Sequence, residues 1–462
     1  MAKLPLGDVV VLLPGILGSV LQRDGKDVWA PTPGAVARGL WSLGRSVRSL
    51  ELTSDPWEDD DLGDGVRATR LVSGIHLVPG LWSIDVYAGI SAMITETFDV
   101  VPGETYVEFP YDWRRDNRVA ARRLQRLVDD KLHAQRRRNP DAKVILIGHS
   151  MGGLVARYYL ECLGGHEQTR MLITFGTPHR GSLNAVDFLV NGFVKKLGPL
   201  KIADLSRLLR SLTSVYQLLP IYPCVDVGRG NERVAEVDLP NVDRARATAA
   251  LLDFHRAIEA DAATHDVGRY AIHSVVGISQ GTKQSGRLAG ARLVLAESYD
   301  GEDMGGDGTV PRVSSTPIET DHLQPAYQPM YSSDTHGSLQ LAQAVQTQLL
   351  GILTARPLGG FRATRAVRVD VEELLEVGEP LAVRALPDAG GLTLRATLTD
   401  VASGRVVAAQ VLTRDADEVH TGELPPVPAG DYRLEVSGVE TSEDLVDPVH
   451  AVVCVIDDAE PE

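Results

Sequence analysis

Short, mostly apolar runs alternate with helical patterns over the first two thirds of the chain. Val9–Leu13, Tyr106–Phe109, Val144–Ile147, Met171–Phe175 and Ile272–Val276 carry almost no polar positions, as strands covered on both faces must. Between the second and third lies Asn117–Gln135, where Val119, Leu124, Leu127, Val128 and Leu132 recur at helical spacing. The alternation predicts an α/β protein with a mostly parallel sheet and helices on both faces. From Asn184 to Pro220 the pattern is of amphipathic helices, with Phe188, Leu189, Phe193, Val194 and Leu197, then Leu205, Leu208, Leu209 and Leu212. Placed between two core strands, it predicts a helical cap over about residues 182–265. From Ala366 the period becomes two: Val367–Val371, Leu392–Leu398 and Tyr432–Val436 alternate apolar with polar. That pattern predicts an all-β, immunoglobulin-like sandwich over residues 357–462, joined to residues 1–356 near the Pro and paired Gly at 357–360.

Charge divides the chain at the same place. The whole sequence of 462 residues carries −16, but residues 357–462 hold 8 Arg and no Lys against 21 Asp or Glu. Those residues account for −13, which leaves −3 for the first 356. Phosphate binding needs concentrated Lys and Arg, so nucleic acid is not an expected partner. Arg114, Arg115, Arg118, Arg122, Arg123, Arg126 and Arg136–Arg138 do form a basic stripe along Asn117–Gln135 and its flanks. A solvated helix face explains it, with an anionic membrane or the chain's own acidic region as the alternatives. The cysteines, Cys162, Cys224 and Cys454, are odd in number and far apart, which indicates neither a disulfide framework nor a metal cluster. Asp59–Asp61 and the acidic positions from Asp300 to Asp307 lack calcium-loop spacing, so no metal and no cofactor are expected. No run approaches the roughly 20 apolar residues of a membrane span, and Val9–Leu21 reads poorly as a secretion signal. A cytoplasmic protein is therefore expected, with a transient peripheral contact with membrane left open.

The candidate chemistry sits behind Val144–Ile147, where Gly148-His149-Ser150-Met151-Gly152-Gly153 leads into a helical stretch, Leu154–Leu163. A G-x-S-x-G sequence between strand and helix is the sharp turn that lifts a serine hydroxyl out of the backbone. Ser150 then needs a base, and the base needs an acid to orient it. In this fold type both follow the serine, acid first. Asp307, in a glycine-rich turn before Thr309-Val310, is the expected acid, with Asp300, Glu302 and Asp303 as competitors. His336, ahead of a helical stretch from Ser338 to Leu350, is the expected base, with His322 as its competitor. Two N–H groups should hold the oxyanion: that of Met151 and, from the turn after the first strand, that of Leu17, with Ile16 the next choice. Ile16, His149 and Trp113 are taken as substrate contacts.

With these pieces the chain resembles the lecithin:cholesterol acyltransferase family, which includes lysosomal phospholipase A2 and phospholipid:diacylglycerol acyltransferase. The matching segments are Leu13-Pro14-Gly15-Ile16-Leu17-Gly18-Ser19, Pro110-Tyr111-Asp112-Trp113-Arg114, Ile147–Gly153, Phe175-Gly176-Thr177-Pro178 with Gly181-Ser182, Gly306-Asp307-Gly308-Thr309-Val310 and His336. They run over about residues 8–350 and leave the β-rich end uncovered. The resemblance implies an α/β-hydrolase fold in which Ser150 is acylated by a lipid ester and passes the acyl group to an alcohol or to water. Asp307 and His336 match the family's acid and base, and Leu17 and Met151 its oxyanion donors. It also implies a lid or membrane-facing segment over about residues 25–100, with Trp41 and Trp82 as candidates for the lipid-facing edge. The family's N-terminal lid disulfide has no counterpart, since no cysteine precedes Cys162. The expected activity is a serine-dependent lipid acyltransferase or phospholipase. A carboxylesterase or lipase that only hydrolyses, or a hydrolase delivered to a protein partner by its β-sandwich, is the alternative. On that modular view, deleting residues 357–462 should spare hydrolysis of a small ester.

Overall fold

In a computed structural model, residues 3–30, 49–72, 86–197, 200–265, 270–321, 329–354, 366–439, 442, 446 and 448–456 are described. Six strands form the central sheet: β1 (Val9–Leu13), β2 (Tyr106–Glu108), β3 (Val144–His149), β4 (Thr169–Phe175), β5 (Ala271–Gly277) and β6 (Met330–Ser332). Their order is β6-β5-β4-β3-β1-β2, and every neighbouring pair is parallel. Every residue of β1 and β3 is buried, which is the packing their unbroken apolar runs require. The α/β architecture read from the sequence is the one observed.

Helices α1 (Val86–Thr97), α2 (Asn117–Gln135) and α3 (Met151–Cys162) pack on this sheet. Asp116 caps α2 by accepting from the Arg118 N–H at 2.9 Å, and the helix buries Val119, Ala120, Leu124, Val128 and Leu132 along one stripe. Among the described residues, several arginines of the stripe pair within the first unit. Arg115 pairs with Asp55 at 2.8 Å, Arg122 and Arg126 with Asp60 at 3.2 and 2.7 Å, and Arg118 and Arg122 lie over the Trp57 ring. Arg115, Arg122 and Arg126 thus find their acidic partners in a loop of the same unit.

Over the sheet lies a cap that includes α4 (Leu183–Val190), α5 (Ser206–Ser211), α6 (Thr213–Tyr216), α7 (Arg244–Ala249) and α8 (Arg256–Ala262). Part of it corrects the helical expectation. Val194–Leu197 and Leu200–Asp204 form an antiparallel pair instead of continuing a helix. The physical reason lies in Gly192 and in the Gly198-Pro199 sequence, which stop a helix on either side of a stretch too short to propagate one. Val225–Asp226, Asn231–Glu232, Ser285–Ala289 and Arg292–Ala296 build a small sheet whose strands are too short or irregular to show a sequence period. The helix expected from Ser338 begins later, as α9 (Gln343–Thr354), after a 3-10 turn over Leu339–Leu341.

The C-terminal residues form two β-sheets, of four and five strands, with a hydrophobic core of their own around Val369, Val383, Leu398, Leu434 and Val453. Val367–Val371 and Gly430–Gly438 sit where the two-residue period placed them. The expected linker, Trp41, Trp82 and His322 lie outside the described residues. Among the described residues no helix is long and apolar enough to cross a membrane.

Candidate active site

The C-terminal ends of five sheet strands converge on one place, the usual position of a ligand site in a parallel sheet. Ser150 follows β3 at φ 50°, ψ −124°, a backbone conformation rare for anything but glycine. Such strain costs about 1–3 kcal/mol and persists only where neighbours enforce it. Here the Ser150 N–H donates to the Phe175 carbonyl at 2.8 Å, and the Ser150 carbonyl accepts from Thr177 Oγ1 at 2.9 Å and from the Gly153 N–H at 3.0 Å. The turn therefore holds its serine clear of both strand and helix.

Asp307 and His336 meet on the adjoining loops, with His336 Nδ1 2.7 Å from Asp307 Oδ2. The other carboxylate oxygen, Oδ1, accepts from the N–H groups of Thr309 and Val310 at 2.9 and 2.6 Å. Asp307 is 1% exposed and His336 4%, so a low-dielectric setting strengthens the pair. The competing acids stand elsewhere: Asp303 accepts from Gln284 at 2.7 Å, Asp300 from Asn231 at 3.0 Å, and Glu302 pairs its backbone with Tyr299. Gly176, just after β4, has φ +52°, and a Cβ there would stand 2.7 Å from both Asp307 Oδ2 and His336 Nδ1. Gly176→Ala is expected to wedge this pair apart and to lower kcat by about 100-fold, the scale of an ångström's misplacement. Steady-state kinetics on a soluble ester would show it, and turnover equal to wild type would contradict the packing argument.

His149 supports the same arrangement from behind. The Gly15 N–H donates to Tyr87 Oη at 2.8 Å, leaving the phenol to donate to His149 Nδ1 at 3.2 Å. His149 Nε2 then carries the proton and donates to the His336 carbonyl at 3.3 Å. Burial, with the His336 imidazole 5.0 Å away, pushes the His149 pKa down to about 3, so it stays neutral. His149 thus spans the turn before Ser150 and the loop of His336. Tyr87 had no sequence signal, since its partners are 72 and 62 positions away.

The turn after β1 packs directly on Ser150, with a Cβ at Gly15 falling 3.0 Å from Ser150 Cβ. Leu17 has φ 66° and is fully buried. Side chains pin this turn through its carbonyls: Tyr111 Oη donates to Pro14 at 2.8 Å, Trp29 Nε1 to Leu17 at 3.0 Å and Trp113 Nε1 to Ser19 at 3.1 Å. Trp113 is edge-on to Trp29 at 5.2 Å and fully buried, so it braces the turn from behind and does not stand on the pocket wall. Arg114 fixes the same stretch by bonding Asp112 and Asp64 at 2.6 and 2.9 Å. Met151 opens α3, next to Ser150.

A pocket opens from Ser150 under the cap. Ile16, Pro178, Phe188, Leu209, Val215 and Leu218 make most of its wall, with Thr309 and Val310 from the loop of Asp307. Of the three expected substrate contacts, only Ile16 is part of this wall. The lining is mainly apolar and includes Ser150, an arrangement that can take an acyl chain and bring its carbonyl to the serine hydroxyl.

A known family and several known proteins resemble parts of this chain. The profile of the family described as Lecithin:cholesterol acyltransferase matches residues 86–268, a span that holds Tyr87, Tyr111–Arg114, Ser150 and the cap but neither Asp307 nor His336. A Saccharomyces cerevisiae protein described as uncharacterized is 27% identical over 158 residues, 34% of this chain. The match spans only 21% of that relative's own length. The Bacillus licheniformis lipase BlEst2 in propeptide form is 12% identical, with 96% of this chain and 92% of that one aligned and a TM-score of 0.37. Phospholipase PlaB from Legionella pneumophila is 11% identical, with 97% and 92% aligned and a TM-score of 0.26.

Proposed function

We propose that this chain, which over residues 86–268 resembles the lecithin:cholesterol acyltransferase family, is a serine lipase or phospholipase that can also pass its acyl group to an alcohol. Ser150 is the nucleophile, His336 its general base and Asp307 the acid that orients the base. The N–H groups of Leu17 and Met151 hold the oxyanion. The observation that carries this reading is the buried Asp307–His336 pair at 2.7 Å, set on the loops beside a serine in a strained strand-to-helix turn. In the first half-reaction the Ser150 oxygen bonds to the ester carbonyl while His336 takes its proton, then returns that proton to the departing alcohol. In the second, the oxygen of water or an alcohol bonds to the acyl carbon as its proton passes to His336, the bond to the Ser150 oxygen breaks, and His336 returns the proton to that oxygen. The apolar wall from Ile16 to Leu218 favours a hydrocarbon chain over a polar acyl group.

Hydrolysis and transfer share every step up to the acyl-enzyme, so products decide between them. Mixed phospholipids should be incubated with the protein, with and without long-chain alcohols or sterols, and the products identified by mass. Free fatty acid is the expected product throughout, with new esters appearing when an alcohol is supplied. No acyl release from any lipid would refute the reading, and fatty acid alone would restrict it to hydrolysis.

A further inference from the structure

The loop that presents His336 leaves β6 through Ser333-Asp334-Thr335, and it is held from both sides. Within its own unit, the His336 N–H donates to the Asp307 carbonyl at 2.8 Å. Asp334 is 2% exposed, and its Oδ2 accepts from Ser332 Oγ at 2.6 Å. Its second oxygen, Oδ1, turns to the β-sandwich and accepts from both the N–H and the Nδ1 of His450, each at 3.0 Å. Thr335 Oγ1 adds a bond to the His450 carbonyl at 3.1 Å, and His450 Nε2 lies 3.3 Å from Glu435 Oε2. The acid loop is tied to the sandwich as well. The Gln280 N–H donates to Gly306, next to Asp307, at 2.9 Å, while its carboxamide bonds Ser333 and accepts from the Val369 N–H at 3.3 Å.

We infer that His450 is a positioning residue for the acyl-transfer site: by holding Asp334 it sets the backbone that aims His336, which makes the β-sandwich part of the catalytic machinery. The inference rests on the proposed roles of Ser150, His336 and Asp307. It reverses the modular expectation under which residues 357–462 could be removed without loss of small-ester hydrolysis. A surface contact between two units would tolerate slack, whereas this one ends two residues from the general base.

The charge state of His450 gives the device a signature. The charged groups facing its imidazole are Asp334 and Glu435, with Arg433 acting on Glu435 from the same strand. Burial alone would lower the His450 pKa, but the bonds to Asp334 and Glu435 outweigh it and raise the value to about 9. A raised pKa stabilises fully below the unfolded value of about 6.5 and is lost as pH rises through the folded one. The clamp should therefore hold at neutral pH and weaken near pH 9.

The test uses the full chain and hydrolysis of p-nitrophenyl butyrate from pH 6 to 10. His450→Ala should lower kcat by about 100-fold with KM within about twofold, since ångström-scale misalignment acts on the chemical step. His450→Asn, which keeps an N–H near the Nδ1 position, should recover kcat to within about fivefold of wild type. Wild-type kcat should decline near pH 9, and His450→Asn should lack that limb. Glu435→Gln should move the limb to lower pH, and it decides the matter together with His450→Asn if the alanine variant fails to fold. Wild-type kcat and pH profile in His450→Ala would overturn the role, as would an asparagine variant no better than alanine or a limb unmoved by Glu435→Gln. Hydrolysis that depends on Ser150 but not on His450 would refute the positioning role alone. Hydrolysis indifferent to Ser150 would refute the functional reading beneath it.

Discussion

Ser150→Ala is expected to lower kcat for ester hydrolysis by about 10⁶-fold and to abolish covalent labelling by a fluorophosphonate. Without the hydroxyl no acyl-enzyme can form, and only binding and oxyanion stabilisation remain to speed attack by water. The fold should survive the change. Ser150 precedes α3, but its side chain makes no capping hydrogen bond, so removing Oγ costs the helix no partner. Alanine and serine also meet the same penalty at φ 50°, and the melting temperature should stay within about 2 °C. Labelling that persists in the folded variant would place the nucleophile elsewhere.

Asp307→Asn should cost about 10⁴-fold in kcat at neutral pH, for a reason the hydrogen bonds supply. Oδ1 accepts from two backbone N–H groups, those of Thr309 and Val310. An asparagine must keep its carbonyl oxygen there, because an amide N–H facing two donors would leave all three unsatisfied. Its NH2 is then turned toward His336 Nδ1, where the carboxylate oxygen stood at 2.7 Å. His336 can meet that donor only by moving its own proton to Nε2, and a protonated Nε2 cannot accept from the nucleophile. The loss is therefore one of tautomer with the geometry kept, and the melting curve should change little. Kinetics of the purified variant check this, and turnover within tenfold of wild type would mean that Asp307 does not orient the base.

Much of this was legible because it is local. The apolar run Val9–Leu13 becomes a strand with the same ends, and Asn117–Gln135 a helix with the same ends. The strand is marked by an unbroken apolar run, and the helix by its hydrophobic period and by Asp116 directly before it. The serine turn is readable from its setting between strand and helix, and the candidate acid and base follow it in chain order. Their contact joins residues 29 apart through two short loops whose glycine and histidine content marks them. What escaped was non-local or too short to have a period. The strand pair Val194–Leu197 and Leu200–Asp204 is four and five residues long, and its pattern suits a helix as well as a hairpin. Trp113, expected at the substrate, has an indole that braces the turn after β1 through a bond across 94 residues.

The sequence by itself thus determined the sheet, the serine turn and the identity of the candidate acid and base, since each is written in residues a few positions apart. Only the tertiary structure decided what holds them. Tyr87 reaches His149, Tyr111 and Trp29 pin the turn of Leu17, and His450 comes from the β-sandwich to Asp334, 116 residues away. A side-chain hydrogen bond depends on where two backbones are brought together, and residues far apart in the chain carry no shared spacing that would announce it.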